Sequence, residues 1–379
     1  MKKIKIVFVV MYLGRGGAEK SLFYLVKLMD KSKFDITVFT VMANGKMERH
    51  FESIGVKVKT PFSCAIKGKS ILAKSIDHIL IKRIERMVKF NSNCLLKAAT
   101  GEEYDIVVSY HVDSSCYAVG LPKIGKRIKY IHADLANSSS YVNDNEYLFR
   151  LKNPYDKVIC VSNIAQAGFE KYFGNSASIS VLLNPIDSEE VHRLSNERLA
   201  DLPGKSYVCA LGRLTKEKGF SRLIDVYKKL TEKSFPFDLV IMGEGLEREN
   251  LLKKISDYGL TKSIKLMDYQ NNPYPIIKNS KFLIVPSYAE GLSMTAMEAI
   301  CLGVPVVSTC PSVGDILGDE PCGIITDNTF EGLYQGMAKM CSENFYLSTK
   351  IAAERRSVFL NGRNMVERVE NLYKEMLKE

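Results

Sequence analysis

Long apolar runs are absent: no stretch approaches the ~20 consecutive apolar residues that cross a bilayer as a helix. Paired cysteines are absent too. The nine cysteines (Cys64, Cys94, Cys116, Cys160, Cys209, Cys301, Cys310, Cys322 and Cys341) include no Cys-x-x-Cys, so neither a zinc cluster nor a thioredoxin-like motif is supported. An odd, irregular set reads as buried free thiols in a reducing compartment, hence a cytoplasmic location. Internal repeats and low-complexity tracts are missing, which excludes solenoid and linker-like chains. The opening Met1-Lys2-Lys3-Ile4-Lys5-Ile6 is basic and then apolar like a secretory leader. Its apolar run Ile6 to Leu13 is too short, and Gly14-Arg15-Gly16-Gly17 stands where a cleavage site belongs, so a first strand is the better reading.

What is present is ordinary globular material. The chain has 379 residues, 46% apolar and 25% charged, enough for two domains that each bury a core. The net charge of +10 lies in the first half: residues 1–188 carry 28 Lys and Arg against 17 Asp and Glu. Such an excess speaks to an anionic partner rather than to the fold. Residues Lys67 to Lys97 concentrate it. Lys67, Lys69, Lys74, Lys82, Arg83, Arg86, Lys89 and Lys97 interleave with apolar residues, as in a basic amphipathic helix facing an anionic membrane or a lipid diphosphate. A core-packed helix with a solvated outer face fits the same pattern. Basic residues without clustered aromatics give little support to nucleic-acid binding.

Short β-branched runs alternate with helical periodicity. Ile4–Met11, Ile36–Val41, Ile106–Tyr110, Ile128–Ile131 and Val158–Ser162 read as strands, and Leu22, Leu25, Val26 and Met29 share one helix face. After Asn184-Pro185 and a polar stretch the rhythm restarts with Tyr207–Leu211, Phe237–Met242, Ile264–Met267, Phe282–Pro286 and Pro305–Ser308. The expectation is α/β: two Rossmann-like doubly wound domains, residues 1–188 and 189–360, with a ligand cleft where their strand carboxyl ends face each other. A charged, periodic helical tail is expected from about Ile351, its last part (361–379) packing back on the first domain.

Three motifs carry chemistry. Gly14-Arg15-Gly16-Gly17-Ala18-Glu19 opens a helix after the first strand; it lacks the dinucleotide-binding spacing, since Glu19 stands where Gly or Ala is required. Its glycines allow close backbone approach and the helix N-terminus favours an anion, though a ligand-free tight turn reads equally well. Gly212-Arg213-Leu214 with Lys216 and Lys218-Gly219 places a guanidinium and an ammonium in one strand-to-helix loop, where they could share a diphosphate. A solvated basic loop is the competing reading. In the stretch from Pro286 to Ala299, seven residues separate Glu290, in a turn, from Glu298, on the second turn of a helix. The free amides near Ser293, Met294 and Thr295 lie between the two carboxylates. A phosphate flanked by two sugars calls for carboxylates on each side and amide donors in the middle. A dipole-favoured Glu290 and a solvated Glu298 would be the bland alternative.

Taken together, Gly-Gly-x-Glu, Gly-Arg-Leu-x-x-x-Lys-Gly, Gly243-Glu244-Gly245, Glu-x7-Glu, Val161-Ser162 and Leu183-Asn184-Pro185-Ile186-Asp187 strongly resemble the retaining glycosyltransferases of family four, in order from residue 4 to about 310. The resemblance implies the GT-B fold, with a nucleotide sugar on the second domain and most of the acceptor on the first. It implies that Arg213 and Lys218 stabilise the departing diphosphate, Glu290 bonds sugar hydroxyls and Glu298 bonds the ribose. Ser293 to Thr295 would hold phosphate, Gly16 and Gly17 would approach the donor, and Gly243 and Glu244 would lie near the nucleoside. It places His132 near the sugar's reacting end, with His111 the weaker candidate. Departures stand at His132-Ala133-Asp134, at Ser312-Val313-Gly314-Asp315 and at Asp268. No Asp-x-Asp triplet occurs, so metal-independent catalysis is expected, with a nucleotide-diphosphate sugar, UDP-linked by resemblance, as donor and no further cofactor. The implied role is transfer to a lipid-linked or polysaccharide acceptor on the inner face of a bacterial membrane. The alternatives are a same-fold synthase or epimerase on a soluble acceptor, and a non-catalytic nucleotide-sugar-binding protein.

Overall fold

The computed structural model describes residues 2–41, 45–60, 103–111, 125–137, 155–174, 178–198 and 205–378. The basic segment Lys67–Lys97 lies outside the described residues. The chain divides into two compact units, one of residues 1–185 with 363–379 and one of residues 186–362.

Among the described residues, the first unit holds seven strands: β1 (Ile4–Val10), β2 (Phe34–Thr40), β3 (Lys57–Lys59), β4 (Ile106–Ser109), β5 (Lys126–Ile131), β6 (Lys157–Cys160) and β7 (Ile179–Val181). Their order is β3-β2-β1-β4-β5-β6-β7, all parallel. Successive β1 residues from Ile6 to Val10 are fully buried, because both faces of a parallel sheet are covered; this is why the strand reads as an unbroken apolar run. Each such side chain contributes roughly 1.5–3 kcal/mol by its burial. The helix Gly17–Leu28 follows β1 and turns Leu22, Leu25 and Val26 inward.

The second unit repeats the plan with β8 (Tyr207–Leu211), β9 (Asp238–Met242), β10 (Ile264–Met267), β11 (Leu283–Val285), β12 (Val306–Ser308) and β13 (Gly323–Ile325). Their order is β10-β9-β8-β11-β12-β13, again parallel. Both orders place the first strand centrally and reverse direction beside it. Doubly wound sheets bind ligands at that switch point, beyond the strand carboxyl ends. Here the switch lies between β8 and β11, whose following loops carry Lys218 and Glu290.

The expected single helical tail is instead two helices, Glu343–Ser357 and Gly362–Met376. Asn361 and Gly362, both weak helix formers, stand at the break. The first helix buries Thr349, Ala352 and Ala353 in the second unit. The other belongs to the first unit. Val366, Val369, Tyr373 and Met376, spaced 3, 4 and 3 apart, form its buried stripe. The Tyr373 hydroxyl meets that of Tyr130 at 2.9 Å, and Glu370 Oε1 accepts the Asp30 amide at 2.7 Å.

Candidate active site

In the second unit two loops are tied before any side chain acts. After β8 the chain passes Gly212, Arg213 and Leu214; after β9 it passes Gly243, Glu244 and Gly245. The Leu214 amide donates to the Glu244 carbonyl at 2.8 Å, and the Glu247 amide to the Leu214 carbonyl at 2.9 Å. A Cβ on Gly243 would run into the Gly212 carbonyl oxygen, so only glycine allows the two loops to touch. Glu244 itself is exposed.

Lys218 ends a short 3-10 turn, Lys216–Lys218, and Gly219 follows in the left-handed region at φ 68°. Any Cβ there would strike the Pro286 carbonyl. The turn therefore sits against the end of β11, and the Tyr288 amide donates to the Glu217 carbonyl at 2.9 Å. That contact brings Lys218 Nζ to 2.7 Å from Glu290 Oε1, with side chains only 18% and 15% exposed. Ser287 Oγ donates to the same carboxylate oxygen at 2.8 Å. The two motif residues, 72 apart in sequence, thus form one ion pair. Arg213 is not part of it: its Nη2 pairs with Glu217 Oε1 at 2.9 Å, and both side chains are more than half exposed. The cations expected to share a diphosphate are each committed to a different carboxylate.

The helix Met294–Cys301 starts four residues beyond Glu290 and is capped by Ser293, whose Oγ accepts the Ala296 amide at 3.3 Å. The first amides of such a helix have no intrahelical acceptor and present partial positive charge. Ser293 and Met294 are buried, and Thr295 Oγ1 lies 3.1 Å from Ser293 Oγ. Glu298, on the second turn, is 1% exposed, so the reading of Glu298 as a solvated helix residue does not hold. Lys218 thus follows β8, while Glu290, the capped helix N-terminus and the buried Glu298 follow β11 in that order. Asp268 pairs with Arg248 at 2.9 Å at the end of β10.

Sequence reasoning missed Arg222. It is 9% exposed, its Nη2 donates to the Pro286 carbonyl at 2.7 Å and to Thr309 Oγ1 at 3.2 Å, and its guanidinium lies 4.2 Å from the centre of the Tyr288 ring. A signal existed: Arg222, Val226 and Leu230 repeat every four residues on the buried side of the helix Phe220–Thr231.

The first unit holds the remaining candidates. Gly16 caps the helix Gly17–Leu28 without a side-chain bond. A Cβ on Gly16 would run into the Glu19 carboxylate, and one on Gly14 would lie 3.0 Å from Glu19 Oε1. Glu19 therefore lies across this glycine loop, and an anion arriving there would have to displace it. Gly17 is the first residue of the helix. His132 follows β5, its ring stacked on Tyr130 (centroids 5.7 Å apart, planes at 13°) and 4.6 Å from Tyr110. Its Nε2 is buried and finds no hydrogen-bond partner among the described residues. Burial first, then the nearby His111 and Lys129, holds its pKa well below the ordinary histidine value. Lys129 is wholly buried and donates to Ser109 Oγ at 2.9 Å and to the His111 carbonyl at 2.6 Å. Asp134 accepts the amides of Ala136 and Asn137, a turn-forming role.

Two family profiles match the chain: "Glycosyltransferase Family 4" over residues 15–190 and "Glycosyl transferases group 1" over residues 195–356. The chain belongs to the family-four glycosyltransferases. Among curated relatives of this family-four chain, an N-acetylgalactosaminyltransferase of Campylobacter jejuni acting on a diphospho-undecaprenol-linked sugar is 30% identical over 167 residues, 43% of this chain and 44% of that one. The capsular polysaccharide glycosyltransferase CapM of Staphylococcus aureus is 24% identical over 55% of each chain. The chain thus spans about half the length of these relatives. Among solved structures, HepE of Anabaena with UDP and glucose superposes at TM-score 0.74 with 16% identity, covering 98% of this chain and 99% of that one. Sucrose-phosphate synthase of Thermosynechococcus elongatus superposes at 0.77 with 14% identity, covering 99% and 100%. The fold is accordingly GT-B: two Rossmann-like domains.

Proposed function

We propose that the chain transfers a sugar from a nucleoside-diphosphate sugar, UDP-linked, to a lipid-linked or polysaccharide acceptor in bacterial surface-glycan synthesis, with retention of anomeric configuration. The observation that carries the proposal is the 2.7 Å Lys218–Glu290 pair beside the N-terminus of the helix that buries Glu298. Lys218, Arg213 and the amides from Ser293 to Thr295 neutralise the diphosphate as the bond from the sugar's anomeric carbon to phosphate oxygen breaks. The electron pair leaves with the diphosphate. The acceptor hydroxyl forms the new bond on the same face and passes its proton to a leaving phosphate oxygen. Glu290 orients sugar hydroxyls and Glu298 the ribose. Gly243 and Glu244 flank the nucleoside, while Gly16, Gly17 and a neutral His132 serve the reacting end. Cationic side chains and helix dipole take the place of a divalent metal.

The activities of the Campylobacter and Staphylococcus relatives support a lipid-linked or capsular acceptor, and UDP bound in HepE supports the donor class. Among the described residues no helix is long and apolar enough to cross a membrane. We assign contact with an anionic membrane face to the basic segment Lys67–Lys97. The test is a panel of UDP-sugars screened by thermal shift and then offered with undecaprenyl-diphosphate-linked acceptors, with and without EDTA. Product with an inverted anomeric carbon, or activity abolished by EDTA and restored by magnesium, would overturn the retaining or the metal-free part. Absence of any UDP-sugar binding would overturn the whole.

A further inference from the structure

An arginine that is nine-tenths buried normally faces a carboxylate, because an uncompensated charge inside a protein is costly. Arg222 has none within ion-pair distance among the described residues. Its contacts are neutral and all belong to one place: the Pro286 carbonyl at the end of β11, the Thr309 hydroxyl at the end of β12, and the face of Tyr288. Thr309 Oγ1 in turn donates to the Ser287 carbonyl at 2.7 Å. Ser287 Oγ donates to Glu290, and Glu290 accepts from Lys218. One guanidinium nitrogen, Nη2, therefore links two strand ends and holds the turn Pro286–Glu290 against the helix Phe220–Thr231.

We propose that Arg222 is a positioning residue of the diphosphate site: by fixing Pro286, Thr309 and Tyr288 it sets the geometry at which Lys218 and Glu290 meet. The proposal rests on the donor-site reading given above. A guanidinium suits the task because its Nη2 donates to both acceptors while the flat, weakly hydrated group lies over the Tyr288 ring, a combination that a compact, strongly hydrated ammonium on a flexible stem does not reproduce. Displacement of a reacting group by about 1 Å can cost on the order of 10²-fold in rate.

The experiment compares wild type with Arg222→Lys, Arg222→Met, Thr309→Val and Thr309→Ser. UDP binding is measured by calorimetry, transfer by kcat and donor KM, and the Arg222→Met protein is crystallised. Expected are unchanged UDP stoichiometry and a kcat lower by about tenfold or more in Arg222→Met, Arg222→Lys and Thr309→Val, with donor KM changed far less. Thr309→Ser, which keeps the hydroxyl, recovers most of the loss. The Arg222→Met crystal should show the Lys218–Glu290 contact opened. Recovery of kcat by Arg222→Lys would mean that charge alone matters, and would overturn the positioning role. So would a fall in kcat that only tracks a fall in UDP stoichiometry, the mark of unfolded protein. If wild type binds no UDP and transfers no sugar, the donor-site reading fails by itself. The crystal then still decides, since a Lys218–Glu290 pair intact in Arg222→Met overturns the role of Arg222.

Discussion

Lys218→Met and Glu290→Gln should both lower turnover yet move UDP affinity in opposite directions. At 2.7 Å and an effective dielectric of about 20, the attraction between the two charges is about 6 kcal/mol. Most of this is offset by the desolvation of groups that are each less than a fifth exposed. Removing Lys218 leaves a mostly buried Glu290 carboxylate with only Ser287 as side-chain hydrogen-bond donor among the described residues, which should cost about 1–3 kcal/mol of stability. It also removes a cation that the diphosphate needs, so UDP should bind at least tenfold more weakly, which corresponds to about 1.4 kcal/mol. Glu290→Gln does the reverse. It frees the ammonium from its internal partner and takes away a carboxylate that repels an incoming diphosphate, so UDP should bind as tightly as to wild type or more so. Turnover should fall on the order of 10²–10³-fold in both variants, since each loses a group used in the transition state. Calorimetric titration with UDP and initial-rate kinetics separate the two effects. If Glu290→Gln weakened UDP as much as Lys218→Met does, the carboxylate would not compete with the diphosphate for Lys218, and the argument from the ion pair would fail.

Three further outcomes follow from the packing. His132, whose burial holds its pKa well below the ordinary histidine value, should show no titration as pH falls through about 6.5 in proton-nitrogen correlation spectra. The unfolded state then binds more protons than the folded one below about pH 6.5, so His132 lowers stability as pH falls through that value, and His132→Phe should flatten the dependence; an imidazole titrating near 6.5 would refute this. Gly243→Ala should cost about 1–3 kcal/mol and weaken UDP binding, because its methyl meets the Gly212 carbonyl; an unchanged melting temperature would refute the close approach. Tyr130→Phe and Tyr373→Phe should each cost about 1–3 kcal/mol by orphaning a buried hydroxyl, whereas the double variant should cost much less than their sum; additive losses would mean that the two hydroxyls do not pair.

The parallel strands were legible because burial on both faces leaves an unbroken apolar run. Tyr207–Leu211 and Ile264–Met267 match their sequence reading to the residue. β3, β7 and β13 were missed for the opposite reason. Each is three residues long and lies at a sheet edge, where partial exposure admits Lys57, Lys59 and Ser180. The Glu290 and Lys218 motifs were readable as loop residues between strand and helix, but their contact was not, since it depends on the 3-10 turn after Thr215 docking on β11. The sequence also gave no means of seeing that Arg213 would turn to Glu217, four residues on, or that Glu19 would fold across its own glycine loop. Arg222 looked like any charged residue of an exposed helix until its neighbours showed which side was buried.

The return of the last helix to the first unit has a consequence for how the protein is made. Residues 186–362 form a contiguous unit that can fold as soon as they are synthesised, while residues 1–185 wait for a piece encoded after them. At roughly 5–20 residues per second, the interval between the end of β7 and the arrival of Tyr373 is on the order of ten to forty seconds. Through that time the Tyr130 hydroxyl and the Asp30 amide lack their native partners, and the apolar surface that receives Val366, Val369 and Met376 stays open. A stop between Gly362 and Val366 would thus spare the unit that carries Lys218 and Glu290 while removing from the other the helix that covers this surface.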